Sequence, residues 1–126
     1  MIFYNLFRHS PEFLEIKSGD VLLHENDVGD EMYVLIEGRA KIEFRSFHLG
    51  DVLPGEFVGE LAVIDGSPRL ATVTAVTNCK FVTINRHRFE VLVADTPHFA
   101  LEVMRVLASR LRKTNELLTQ LSGESA

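Results

Sequence analysis

Six turn dipeptides divide the chain between Phe13 and Asn85: Gly19-Asp20, Gly29-Asp30, Glu37-Gly38, Gly50-Asp51, Pro54-Gly55 and Asp65-Gly66. Apolar runs this short cannot hold a helix of useful length, so they read as strands, and frequent turns make neighbouring strands antiparallel. The expected strands are Phe13 to Lys17, Val21 to His24, Met32 to Glu37, Ala40 to Arg45, Phe47 to Leu53, Ala71 to Val76 and Lys80 to Asn85. Alternation is clearest from Ala40 to Arg45, where apolar and charged side chains face opposite sides of a sheet and leave one face half exposed. The pattern calls for an antiparallel sandwich or barrel.

One junction resists this reading. Phe44 to Leu49 holds no Gly, Pro, Asn or Asp to reverse the chain, so either Arg45-Ser46 is a tight turn of unusual composition or a longer loop has been lost. Either side of the barrel the texture is helical. Ile2, Phe3, Leu6 and Phe7 suit a turn or two of amphipathic helix lying on the body of the domain. After Asn85, Phe89, Leu92 and Val93 recur at helical spacing until Asp95-Thr96-Pro97 interrupts them. A longer helix then runs from about Pro97 to Leu121, with Thr96 as its N-cap and Pro97 at its first position. Residues Ser122 to Ala126 read as a frayed tail. On the long helix Ala100, Met104, Leu107, Leu111, Thr114, Leu118 and Leu121 are spaced alternately four and three apart, the seam of a coiled coil. That stripe serves either a homodimer or packing on the barrel.

The stretch with the most chemistry is Pro54 to Val76. Gly59 and Glu60 open a short apolar turn, and Arg69 follows a Gly-Ser-Pro bend before a β-branched run. A helix start offers backbone N–H groups to an anion, glycine permits close approach, and a guanidinium matches phosphate geometry. Glu60 would repel a phosphate but can accept from a sugar hydroxyl attached to it. The combination describes a pocket for a phosphate joined to ribose; the structural alternative is an internal Glu60–Arg69 ion pair bracing a turn.

Other candidates are weaker. His9, His24, His48, His87 and His98 show no ligand spacing, so no metal site is expected. Cys79 is alone, which rules out an intramolecular disulfide and reads as a small core residue. Asp27, Asp30 and Glu31 read as solvated turn residues rather than a calcium loop, and Arg86, His87 and Arg88 as a basic surface face. No base, metal cluster or nucleophile arrangement marks an enzyme. With 126 residues, 46% of them hydrophobic and 25% charged, one domain spanning 1–126 is expected, a barrel over about 12–85 and helices over about 86–121. The net charge of −5 opposes nucleic-acid and acidic-lipid partners. The absence of a membrane-length or signal-like segment, with the single cysteine, points to a cytoplasmic protein.

Taken together, Glu25 to Val34, Glu37-Gly38-Arg39-Ala40, Gly59-Glu60-Leu61-Ala62 and Ser67 to Val73 resemble a cyclic nucleotide-binding domain, the module of catabolite activator proteins, protein kinase A regulatory subunits and cyclic nucleotide-gated channels. The likeness runs from about Phe13 to Leu121, and the nine-position step from Glu60 to Arg69 is common in that family. It implies a jelly-roll β-barrel with a short helix in the phosphate-binding cassette and two C-terminal helices. It implies that Glu60 takes the ribose 2′-hydroxyl, that Arg69 pairs with the cyclic phosphate, and that N–H groups around Gly59, Leu61, Ala62, Leu70 and Ala71 complete the cradle. Thr114 and Asn115 fall where the catabolite activator helix offers a Thr-Ser pair to adenine. Leu70 lacks the hydroxyl that some relatives carry and that is associated with cGMP, which tilts the ligand toward cAMP. Gly29, Gly38 and Gly55 are expected as turn glycines. No helix-turn-helix follows Leu121, so an effector domain or protein is expected outside the chain. The alternative is a degenerate module of the same fold that has lost the nucleotide and serves interaction or dimerisation.

Overall fold

The computed structural model describes residues 2–123, of Ile2 the backbone alone. The chain falls into two compact units that divide after Glu90. The first contains α1 (Ile2–Phe7), β1 (Leu14–Ile16), β2 (Val21–Leu23), β3 (Glu31–Glu37), β4 (Ala40–Phe44), β5 (Phe47–Val52), β6 (Phe57–Val58), α2 (Glu60–Ile64), β7 (Thr72–Ala75) and β8 (Cys79–Asn85). All pairings are antiparallel, in two four-stranded sheets ordered β1-β8-β3-β6 and β2-β7-β4-β5. Two antiparallel sheets facing one another over a shared core make the jelly-roll barrel. Leu23, Leu35, Ala40, Val52, Val58, Val73, Cys79 and Phe81 supply that core, drawn from both sheets. Cys79 is therefore the small core residue expected.

Strand β3 explains why its sequence is continuously apolar rather than alternating. Met32, Val34 and Ile36 face away from the barrel core yet are buried, as are Leu35 and Tyr33 on the other face. The short helices α1 and α2 both touch this strand and cover its outer side. Phe3 and Phe7 are buried, and Phe3 meets Phe57 edge-on with ring centroids 5.1 Å apart. Leu6, expected to pack with them, is exposed. Strand β6 escapes sequence reading altogether, because two residues between turns show no periodicity; it is fixed by pairing with Tyr33 and Val34.

The junction at Ser46 resolves as a tight turn. Phe44 pairs with Phe47, and Arg45 and Ser46 have φ of 50° and 66°. Positive φ at both central positions is the signature of a type I′ hairpin turn, here without the usual Asn or Gly. Glu25 supports it, since its carboxylate accepts the Arg45 N–H at 3.0 Å and the Thr72 hydroxyl at 3.1 Å.

Helix α3 (Arg86–Asp95) crosses the division between the units, and α4 (Pro97–Ser122) belongs to the second. Thr96 occupies the N-cap position of α4, with Pro97 in the first turn, but its side chain makes no capping bond. Its carbonyl accepts the Phe99 N–H at 2.8 Å instead. The helix ends on Gly123 in the left-handed conformation, φ 75°; of the expected frayed tail, residues 124–126 lie outside those described. Phe99 and Val103 are buried, whereas Met104, Leu111, Leu118 and Leu121 are 58–70% exposed. No helix among the described residues is long and apolar enough to cross a membrane.

Candidate functional site

After Val58 the chain turns through Gly59, whose φ of 80° and ψ of 12° are left-handed and therefore suited to glycine. Gly59 is the N-cap of α2, so no side chain closes that helix start. Glu60 opens the helix and is buried, 7% exposed; Leu61 is half-buried and Ala62 buried beside it. The far end of α2 is tied down as well. Arg86 Nη2 donates to the Ala62 carbonyl at 3.1 Å, and the Asp65 carboxylate accepts the Ser67 N–H at 2.9 Å together with the Ser67 hydroxyl. Those two Ser67 bonds hold the Asp65 carboxyl below its usual pKa.

Ser67-Pro68 leads to Arg69, which is held at both backbone and side chain. Its N–H donates to Asp27 O and its carbonyl accepts from Asn26 N–H, each at 2.8 Å, a short ladder that starts where Asn26 takes a positive φ of 73°. The side chain turns inward and is 8% exposed. Nη1 donates to the carbonyls of Glu31 at 2.7 Å and Gly59 at 3.2 Å. Both acceptors are neutral, so these bonds orient the guanidinium without cancelling its charge. Arg69 Cζ also lies 5.9 Å from the centre of the Tyr33 ring, a cation–π distance. Burial, then the neighbouring Glu31 carboxylate, push the Tyr33 phenol above its ordinary pKa, with Arg69 pulling the other way.

The structure thus brings Gly59 and Arg69 together, beside Glu60, Leu61 and Ala62. Leu70 and Ala71 follow Arg69 toward β7; Leu70 is 63% exposed. Thr114 and Asn115 lie on α4, in the second unit, and both are exposed. The Thr114 hydroxyl donates to Arg110 O one helical turn back, at 3.0 Å.

Three expectations need correction. Gly38 and Gly55 have the positive φ of turn glycines, at 101° and 90°, but Gly29 does not. A Cβ at Gly29 would stand 2.3 Å from Arg69 Nη2 and 2.7 Å from Cζ, so this glycine exists to admit the guanidinium. Second, Asp27 and Glu31 are more than solvated turn residues, because their carbonyls receive Arg69. Third, Arg86 and Arg88 are not merely a surface face: beyond the Arg86 bond to α2, Arg88 donates to Thr83 O at 3.2 Å and lies 5.3 Å from the Phe7 ring. Asn26, Gly29, Glu31 and Tyr33 adjoin Arg69 without any mark in their residue types. The only signal was the resemblance of the whole segment from Glu25 to Val34.

Residues 13–96 match the family described as the cyclic nucleotide-binding domain. A "CRP-like cAMP-activated global transcriptional regulator" of Mycobacterium tuberculosis is 32% identical over 113 residues, which cover 86% of this chain and 50% of that protein. The catabolite activator protein of Thermus thermophilus superposes with a TM-score of 0.77 at 25% identity, over 87% of this chain and 55% of that one. A cAMP-bound PfPKA-R superposes with a TM-score of 0.73 at 25% identity, over 91% and 38%. The chain belongs to the cyclic nucleotide-binding domain family, a regulatory ligand-binding module. It spans about half the length of the curated regulator it matches.

Proposed function

We propose that this chain is a cAMP-binding sensor module that passes ligand binding on through its C-terminal helix. The observation that carries the reading is the inward-turned, buried Arg69, held by carbonyls of Glu31 and Gly59 next to the uncapped start of α2. A cation fixed beside a helix start suits a phosphate, and Glu60 at the first position of that helix suits the ribose hydroxyl of the same molecule. The cyclic phosphate takes Arg69 and the N–H groups from Gly59 to Ala62 and at Leu70 and Ala71. The base is read by Thr114 and Asn115, and Leu70, without a hydroxyl, favours adenine over guanine. Ligand held in this way favours one arrangement of the helices over another, and that difference in affinity moves the population. The protein acts without catalysing a reaction, in the cytoplasm, on an effector domain or protein beyond this chain.

A homodimer through α4 belongs to the same reading. The exposure of Met104, Leu111, Leu118 and Leu121 along one seam supports it, since four large apolar side chains at heptad positions are better buried. The deciding experiment is calorimetric titration with cAMP and cGMP in parallel. Tighter binding of cAMP is expected, and replacing Thr114 and Asn115 together by Ala should narrow the gap between the two nucleotides more than it weakens phosphate capture. No heat with either nucleotide would overturn the reading in favour of a degenerate interaction module.

A further inference from the structure

We infer that Tyr33 is a positioning residue for Arg69, holding its guanidinium in the binding pose before any anion arrives; this rests on the phosphate reading of Arg69 given above. Three contacts lead to it. The aromatic ring sits 5.9 Å from Arg69 Cζ. The phenol donates to Glu31 Oε1 at 3.4 Å, and the backbone carbonyl of that same Glu31 is the shorter of the two acceptors for Arg69 Nη1, at 2.7 Å. Tyr33 therefore reaches Arg69 both directly, through the face of its ring, and indirectly, through the residue that fixes Nη1.

Tyr33 is itself immobilised. It is 9% exposed, pairs with Val58 and Thr83 across the sheet, and meets Phe81 edge-on at 6.4 Å. A central strand side chain anchored on three sides is a rigid platform, whereas an arginine has four rotatable bonds and loses much rotamer freedom on being fixed. Holding it beforehand moves that entropy loss from binding to folding, which is how preorganisation raises affinity. The raised pKa of the phenol keeps it protonated and able to donate across the whole ordinary pH range.

The test uses Tyr33→Leu, Tyr33→Phe and, as a control for core damage, Phe81→Leu, which thins the same core at a residue that Tyr33 contacts. In the ligand-free protein the 15N heteronuclear NOE of Arg69 Nε–Hε should be high in wild type and Phe81→Leu, lower in Tyr33→Phe and lowest in Tyr33→Leu. By calorimetry Tyr33→Leu should weaken cAMP about tenfold and Tyr33→Phe about two- to threefold. In an Arg69→Ala background Tyr33→Leu should change affinity by less than about twofold, because a residue that acts through Arg69 has nothing left to position. An Arg69 signal as ordered in Tyr33→Leu as in wild type, or an equal loss in Phe81→Leu, overturns the proposal. If wild type binds no cyclic nucleotide, the phosphate reading falls, and the NOE comparison still decides whether Tyr33 fixes the guanidinium.

Discussion

The cassette and the second half of α4 depart from the ordinary distribution of side chains in opposite senses. In the cassette a cation, Arg69, is buried at 8% exposure beside a buried carboxylate, Glu60. On α4 four large apolar residues, Met104, Leu111, Leu118 and Leu121, are more than half exposed. Charged residues are seldom buried without partners, and apolar seams seldom stay open. The first departure is answered within the chain: carbonyls of Glu31 and Gly59, the Tyr33 ring and two glycines surround the guanidinium. The second is answered by nothing in its own helix. One region thus meets its unusual side chain with contacts from its own chain, and the other leaves its apolar seam exposed; on the proposed function the first captures the ligand and the second meets a partner.

The sharpest way to break this comparison is Arg69→Ala. Removing one member of a desolvated charge contact costs about 2–5 kcal/mol of binding, so calorimetry should show cAMP affinity reduced at least about thirtyfold. Unchanged affinity would remove the cassette's claim to be the capture site. On the other side, Leu111→Ala or Leu118→Ala should weaken self-association by about 2–5 kcal/mol, as for a buried leucine, while leaving the barrel intact. Sedimentation at several concentrations reads this; a wild-type monomer at high micromolar concentration ends the dimer.

Gly29→Ala separates capture from folding. The added Cβ meets the tip of a flexible side chain rather than backbone, so the guanidinium moves and the fold does not. Stability should fall by about 1–2 kcal/mol, because the bonds from Nη1 to the Glu31 and Gly59 carbonyls are disturbed, while cAMP affinity falls about tenfold, or roughly 1.4 kcal/mol. Loss of stability with affinity preserved would return Gly29 to the turn role that its sequence context first implies.

Gly29 also marks the limit of what the chain discloses before folding. Short apolar runs and their punctuation mark seven of the eight strands among the described residues, although Gly50-Asp51, expected to turn the chain, lies inside β5 and pairs with Ile42 and Lys41 of β4. The nearness of Gly59, Glu60 and Arg69 is legible as well, because all three lie in one short stretch of sequence. What holds Arg69 was not legible, since Asp27, Glu31 and Gly59 contribute backbone carbonyls, and any residue has one. Tyr33 and Gly29 lie 36 and 40 positions before Arg69, and they are brought to it by the pairing of β3 with β6 and by the backbone bonds of Asn26 and Asp27 to Arg69. The Arg45-Ser46 turn was ambiguous because its positive φ values sit on residues that do not advertise them; the Glu25 carboxylate, twenty positions away, supports the turn.

The smallest effect tests whether the cassette's order is local. Asp65 is fully exposed, and its carboxyl is held below the ordinary 3.8 by the Ser67 hydroxyl first and the Ser67 N–H second. A depressed folded pKa means that the ionised form is favoured by folding, so this contribution is present above pH 3.8 and is lost as pH falls through the folded value. Ser67→Ala deletes the hydroxyl and keeps the N–H. The Asp65 carboxyl, followed by NMR, should then titrate closer to 3.8, and the variant should be slightly less stable than wild type at neutral pH and equal to it below both pKa values. Because the change is confined to the turn after α2, cAMP affinity should move far less than in Gly29→Ala. If Ser67→Ala matched Gly29→Ala in affinity loss, the pose of Arg69 would depend on the Asp65 turn as a whole, and the cassette would be a looser structure than its buried arginine implies.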